Sequence, residues 1–98
     1  MTGIRERKKA GSKYGILLEK SVVSEAVKIE VKTPETAKVE KVVVYDNLGN
    51  VVFEDGATWD LKNKAGRNVA NGTYLVVAEA KGVSGRVYRY KTKLGVKR

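Results

Sequence analysis

TYLVVAEAKGVSGRVYRYKTKLGV, residues 73–96, is the stretch on which the fold turns. Thr73–Lys81 is dominated by β-branched, aromatic and small apolar residues, and Gly82–Gly85 supplies a turn. In Arg86–Val96 the side chains alternate: Tyr88, Tyr90, Thr92, Leu94 and Val96 share one face, while Arg89, Lys91 and Lys93 share the other. A strand places successive side chains on opposite faces, so this pattern predicts an amphipathic hairpin with one buried and one wet side.

The same grammar extends toward the N-terminus. VEKVVVYD (39–46) reads as a strand, Asn47-Leu48-Gly49-Asn50 as a tight turn, and Val51–Glu54 as the strand pairing back. Asp55-Gly56 opens another turn before Ala57–Leu61, which carries the only tryptophan, Trp59. Upstream, AVKIEVK (26–32) alternates cleanly, Thr33-Pro34-Glu35 breaks it, and Tyr14–Lys20 is a short apolar run. Residues 1–13 read as a flexible basic arm or linker. Short strands with frequent turns and no sustained helical spacing predict an all-β fold. The expected form is an antiparallel immunoglobulin-like or fibronectin III-like β-sandwich of about seven strands, one domain over 14–98. The expected core is Ile16, Leu18, Val27, Ile29, Val31, Val42, Val44, Val52, Trp59, Tyr74, Val76, Ala78, Tyr88, Tyr90 and Leu94.

With 98 residues there is room for a single core, and a chain 42% hydrophobic and 32% charged has the composition of a globular domain. The chain has neither histidine nor cysteine. That excludes a Ser-His-Asp triad, a Cys-His dyad, the usual zinc sites, iron–sulfur clusters and disulfides, and no enzyme activity or cofactor is expected. The net charge of +9 is unevenly spread: residues 1–20 contribute +4, residues 21–80 contribute −2, and residues 81–98 contribute +7. Basic ends brought together would form a face for polyanions, and the plainer alternative is a solubilising charge bias on exposed strands. Met1–Ala10 lacks the apolar stretch of a secretory signal, so export would depend on a signal carried by a larger precursor. No apolar run is long enough for a membrane-spanning helix.

Individual motifs are weak. Gly82-Val83-Ser84-Gly85 fits the G-x-x-G clamp of KH domains, but that clamp joins helices and here both flanks are strands. Asn71-Gly72-Thr73 fits a glycosylation acceptor and also a turn. Asp55 and Asp60, near Asp46 and Glu54 in sequence, are candidates for a carboxylate pair or weak cation site, yet each also sits where a turn wants one. Trp59 and an exposed tyrosine are candidates for stacking on sugars or bases, against ordinary burial in a sandwich.

Taken together, Tyr45-Asp46, Gly49, Val51-Val52, Trp59-Asp60, Asn63, Gly66, Val69-Ala70 and Gly72-Thr73-Tyr74 resemble the immunoglobulin-like sorting domain of type IX (Por-type) secretion. They are also similar to the related domain of the flagellar hook-capping protein. The end Lys93-Leu94-Gly95-Val96-Lys97-Arg98 resembles that family's chain terminus. The resemblance implies a non-catalytic C-terminal sorting or anchoring module of a secreted bacterial protein, extracellular or at the cell surface. Its partners would be the secretion machinery and an anionic cell-surface polymer, with no specific nucleic acid and no membrane span. Arg89, Lys91, Lys93, Lys97 and Arg98 are the expected docking face by electrostatic complementarity. A carbohydrate-binding or adhesive accessory module of a secreted hydrolase is the alternative, and a charge-driven nucleic-acid binder a further one.

Overall fold

The computed structural model describes residues 14–98; the expected basic arm, 1–13, lies outside them. Among the described residues nine strands follow one another: β1 (Gly15–Leu17), β2 (Val22–Val23), β3 (Val27–Lys28), β4 (Glu30–Lys32), β5 (Ala37–Tyr45), β6 (Val51–Glu54), β7 (Thr58–Trp59), β8 (Gly72–Gly82) and β9 (Val87–Val96). Five of them form the main sheet in the order β2-β9-β8-β5-β6, and the short ladders β1-β4 and β3-β7 complete a β-sandwich-like fold. The all-β reading is therefore correct. The sheet is not wholly antiparallel, however, because β2 joins β9 in parallel through Val22–Gly95 and Val23–Val96.

β8 is the spine. It is hydrogen-bonded along one side to β5 and along the other to β9, the expected hairpin, in register from Gly72–Val96 to Lys81–Val87. Its residues Tyr74, Val76, Ala78 and Ala80 are buried on the inner face, while Leu75, Val77 and Glu79 are half-exposed on the outer one. The expected strand 26–32 divides at Ile29. β3 pairs with β7, β4 pairs with β1, and the Ile29 N–H between them donates to Ala57 O at 2.7 Å. Periodicity alone could not show this change of partner, since Val27 and Ile29 stay buried throughout.

The core differs from the expected one at its rim. Leu61, Val69 and Val96 belong to it, Ile16, Leu18 and Val31 pack around it half-buried, and Tyr88 and Tyr90 stack at 6.4 Å in half-buried positions.

Three five-residue loops share one design. In 46–50 the Asp46 carboxylate accepts from Leu48 N and Asn50 N; in 63–67 the Asn63 side-chain oxygen accepts from Ala65 N and Arg67 N. Each places a left-handed glycine fourth, Gly49 at φ 85° and Gly66 at φ 82°, where a side chain would strain the turn. The loop 82–86 has the same backbone closure, Gly82 N to Arg86 O and Gly85 N to Gly82 O, with Gly85 at φ 91°. Its first residue, Gly82, has no side chain to cap the loop. Glu35, from the turn before β5, does so from outside: its carboxylate accepts from Ser84 N, the Ser84 hydroxyl and the Tyr88 hydroxyl. A Cβ on Gly82 would collide with that carboxylate. The absence of a side chain at 82 is what lets Glu35 in.

The Ser84 and Tyr88 hydroxyl bonds hold the Glu35 carboxyl below its ordinary value of 4.5. The Asn50 N–H does the same for Asp46, and the bond to Lys64 for Glu54. A depressed carboxyl stabilises the fold above its unfolded pKa and loses that contribution as pH falls through its folded one. The urea midpoint is therefore expected to decline as pH drops below about 4.5. In Glu35→Ala the neutral-pH midpoint should fall and the acid decline should shallow. Adding Gly82→Asn to Glu35→Ala should restore part of the neutral-pH loss by rebuilding the cap within the loop. No recovery in the double variant would refute the capping role.

Candidate functional site

The cations of the C-terminal hairpin converge on the outer face of the main sheet. Arg89, Lys91 and Lys93 are exposed along β9, and cross-strand register sets Lys81 on β8 beside Lys38 on β5. Lys41 lies across β8 from Arg89, with Glu79 between them. The Arg89 Nε donates to Glu79 Oε2 at 2.7 Å, with the Arg89 side chain still 77% exposed. Lys91 and Lys93 face Val77 and Leu75 across the ladder, so no carboxylate stands opposite either ammonium on β8. Exposed charge pairs of the Arg89–Glu79 kind add little stability. Stability is no reason for this face to be basic.

Of the five expected docking residues, the structure brings Arg89, Lys91 and Lys93 into one row. Lys97 lies just beyond β9, exposed, with its N–H bonded to Val23 O at 2.9 Å. Arg98 is employed otherwise: its guanidinium donates to Val69 O and, at 3.0 Å, to Leu61 O, and its N–H to Asn71 Oδ1 at 3.1 Å. It staples the long connection between β7 and β8, where Leu61 holds φ 62°. Lys38, Lys41 and Lys81 were not singled out from sequence. Their place in the row depends on cross-strand register and on the bulge between Val39 and Lys41, neither of which a single strand's alternation reveals.

The other candidates are absorbed by the fold. Trp59 is fully buried, edge-on to Tyr74 at 5.4 Å, and its indole N–H donates to Lys62 O at 2.9 Å. Its ring offers no stacking face to a sugar or base. Asp60 accepts from Lys62 N, and Glu54 pairs with Lys64. Among the described residues no three His, Cys, Asp or Glu side chains come together to hold a metal ion. The family-motif residues Tyr45, Asp46, Gly49, Asn63, Gly66, Gly72, Thr73 and Tyr74 lie in or beside the β5–β6 turn and the β7–β8 connection. There the Tyr74 hydroxyl bonds Ala70 O at 2.5 Å. An open, mainly apolar cleft of about 400 Å³ lies beside β5, walled by Ile29, Val31, Val39 and Val42 and rimmed by Glu40 and Asp55.

No known family profile matches the chain. No curated protein matches it either. A solved structure does: CopC from Methylosinus trichosporium OB3b, with a TM-score of 0.54 and 20% identity, over 84% of this chain and 93% of that one. At this identity the likeness establishes the fold, a CopC-like β-sandwich.

The expected identity as a type IX sorting domain, or a relative of the flagellar hook-capping module, is thereby overturned, and with it the sorting and anchoring function. The carbohydrate-binding alternative falls as well, with Trp59 in the core. The physical reason lies in the residues that carried the resemblance. Asp46, Gly49, Asn63 and Gly66 are the capping and left-handed positions of two loops with one design. Such positions recur wherever strands are joined by this turn.

Removing the central ring is the direct check on the core. Trp59→Ala is expected to cost about 3–5 kcal/mol in urea unfolding, and the native protein's emission should be blue-shifted and unmoved by added oligosaccharides.

Proposed function

We propose that this chain is a non-catalytic docking module that holds a polyanionic partner on the cationic outer face of its main sheet. The observation that carries this is the row Arg89, Lys91 and Lys93 with Lys38, Lys41 and Lys81 beside it, six cations among which stand Glu79 and Glu54, with Glu40 at the β5 bulge near Lys38 and Lys81. Concentrated positive potential on one face raises encounter rates with acidic partners and fixes their orientation. An exported location belongs to the same proposal, and a chain free of cysteine can work in any redox environment. Among the described residues no helix is long and apolar enough to cross a membrane.

A copper-handling role like that of CopC does not fit this chain. Copper sites draw on imidazole, thiolate and thioether ligands. This chain has no histidine, no cysteine and a single methionine, Met1. The fold is shared without the donor set, and function follows the site rather than the scaffold.

Heparin serves as the test polyanion. The wild-type protein should bind it with an affinity that falls steeply and linearly in log–log with added salt. The triple variant Arg89→Glu, Lys91→Glu, Lys93→Glu should lose at least about tenfold, while Lys28→Glu, on the β3-β7 ladder, should change little. A triple variant that binds as wild type would sink the proposal.

A further inference from the structure

The proposed docking face ends at an open strand edge, and the two coincide on the same residues. β9 runs from Val87 to Val96, yet on the side away from β8 it is paired only at Gly95 and Val96, by β2. There Gly95 N donates to Ser21 O at 2.7 Å and Lys97 N to Val23 O at 2.9 Å. Main-chain groups alternate sides along a strand, so residues 89, 91 and 93 point their N–H and C=O toward the same edge as 95 and 97. Among the described residues none of these three finds a main-chain partner there. Upstream of β2 the chain leaves the edge: β1 takes its ladder from β4 and lies against β9 near Tyr90 without pairing to it.

Arg89, Lys91 and Lys93 therefore offer unmet backbone hydrogen bonds and cationic side chains together. The side chains stand about 6.7 Å apart, the repeat of alternate residues in any extended strand. A polypeptide with an acid at every second position would set one carboxylate beside each cation while its backbone completes the ladder. Lys91 and Lys93 have only Val77 and Leu75 across β8, so the incoming acid would be their first cross-strand counter-charge.

We infer that the polyanionic partner is an extended acidic polypeptide segment, added to the sheet as a sixth strand along the 87–94 edge of β9; the inference rests on the docking function proposed above. Pairing of this edge with the β9 edge of a second copy is excluded by charge, because antiparallel β9 edges would oppose Arg89 to Lys93 and Lys91 to itself. At the far side of the sheet, β5 over 37–41 is broken by the bulge between Val39 and Lys41, a feature that terminates pairing, and the terminal strand β6 is only four residues long.

The test uses three probes against the full chain at low salt: a fluorescein-labelled nine-residue peptide alternating Glu and Thr, the same peptide N-methylated at its glutamates, and heparin. N-methylation removes the backbone donors and keeps every charge. The unmodified peptide should bind at least tenfold tighter than its methylated form, and the amides of Arg89, Lys91 and Lys93 should exchange at least tenfold more slowly in its presence. A preference below tenfold for the unmodified peptide, binding of neither peptide, or peptide binding without protection of those amides would overturn strand addition. In that case heparin binding that is lost in the charge-reversed triple variant would leave the docking function standing. No binding to the peptides or to heparin would overturn both.

Discussion

The structure depends on the contact between Trp59 and β8. The indole, with no exposed surface, meets the Tyr74 ring edge-on at 5.4 Å and the Phe53 ring at 6.2 Å. It joins the short β3-β7 ladder to the main sheet, since Trp59 is also the register partner of Val27. A two-residue ladder has too few hydrogen bonds to persist alone, so its order comes from burying this ring. The indole N–H needs a partner once buried, and it finds Lys62 O. That bond fixes the start of the β7–β8 connection, whose early and late parts Arg98 ties together at Leu61 O and Val69 O.

This division explains what was legible in the sequence. The long strands β8 and β9 carry their periodicity over eleven and ten residues, and each announces its inner and outer face. The short ladders do not. The 26–32 segment has uninterrupted alternation, yet its hydrogen bonds pass from β7 to β1 at Ile29, because pairing is decided by the partners' positions. Val43 shows another limit: it shares the outer face with Val77, opposite it in register, and is only 1% exposed. Single-strand alternation would have assigned it to solvent or to the core with equal justice.

The loops show why the resemblance was persuasive and what it was made of. Asp46 to Asn50 and Asn63 to Arg67 solve one geometric problem twice, with an Asx oxygen first and a left-handed glycine fourth. Residues required by turn stereochemistry are shared among unrelated sandwiches, so their joint occurrence reports architecture. The third loop solves the same problem with Gly82 and a carboxylate from forty-nine residues away in sequence, the Glu35–Ser84 bond. No local pattern could have disclosed it.

The basic outer row likewise has two physical consequences that must be weighed together. Lysine and arginine on an edge strand deter pairing between copies, the ordinary way a sheet avoids aggregation. On that ground alone the charge on β9 would need no partner. But deterrence is needed only where an edge is open, as along β9 over 87–94 and β5 over 37–41. Here the cations also continue onto Lys81 of β8, a strand paired along both of its sides. Charge placed there does nothing to block β9. A field that spans the sheet and ends at its open edge repels a second copy and attracts an acidic chain by the same sign, and the two effects are one property of the surface.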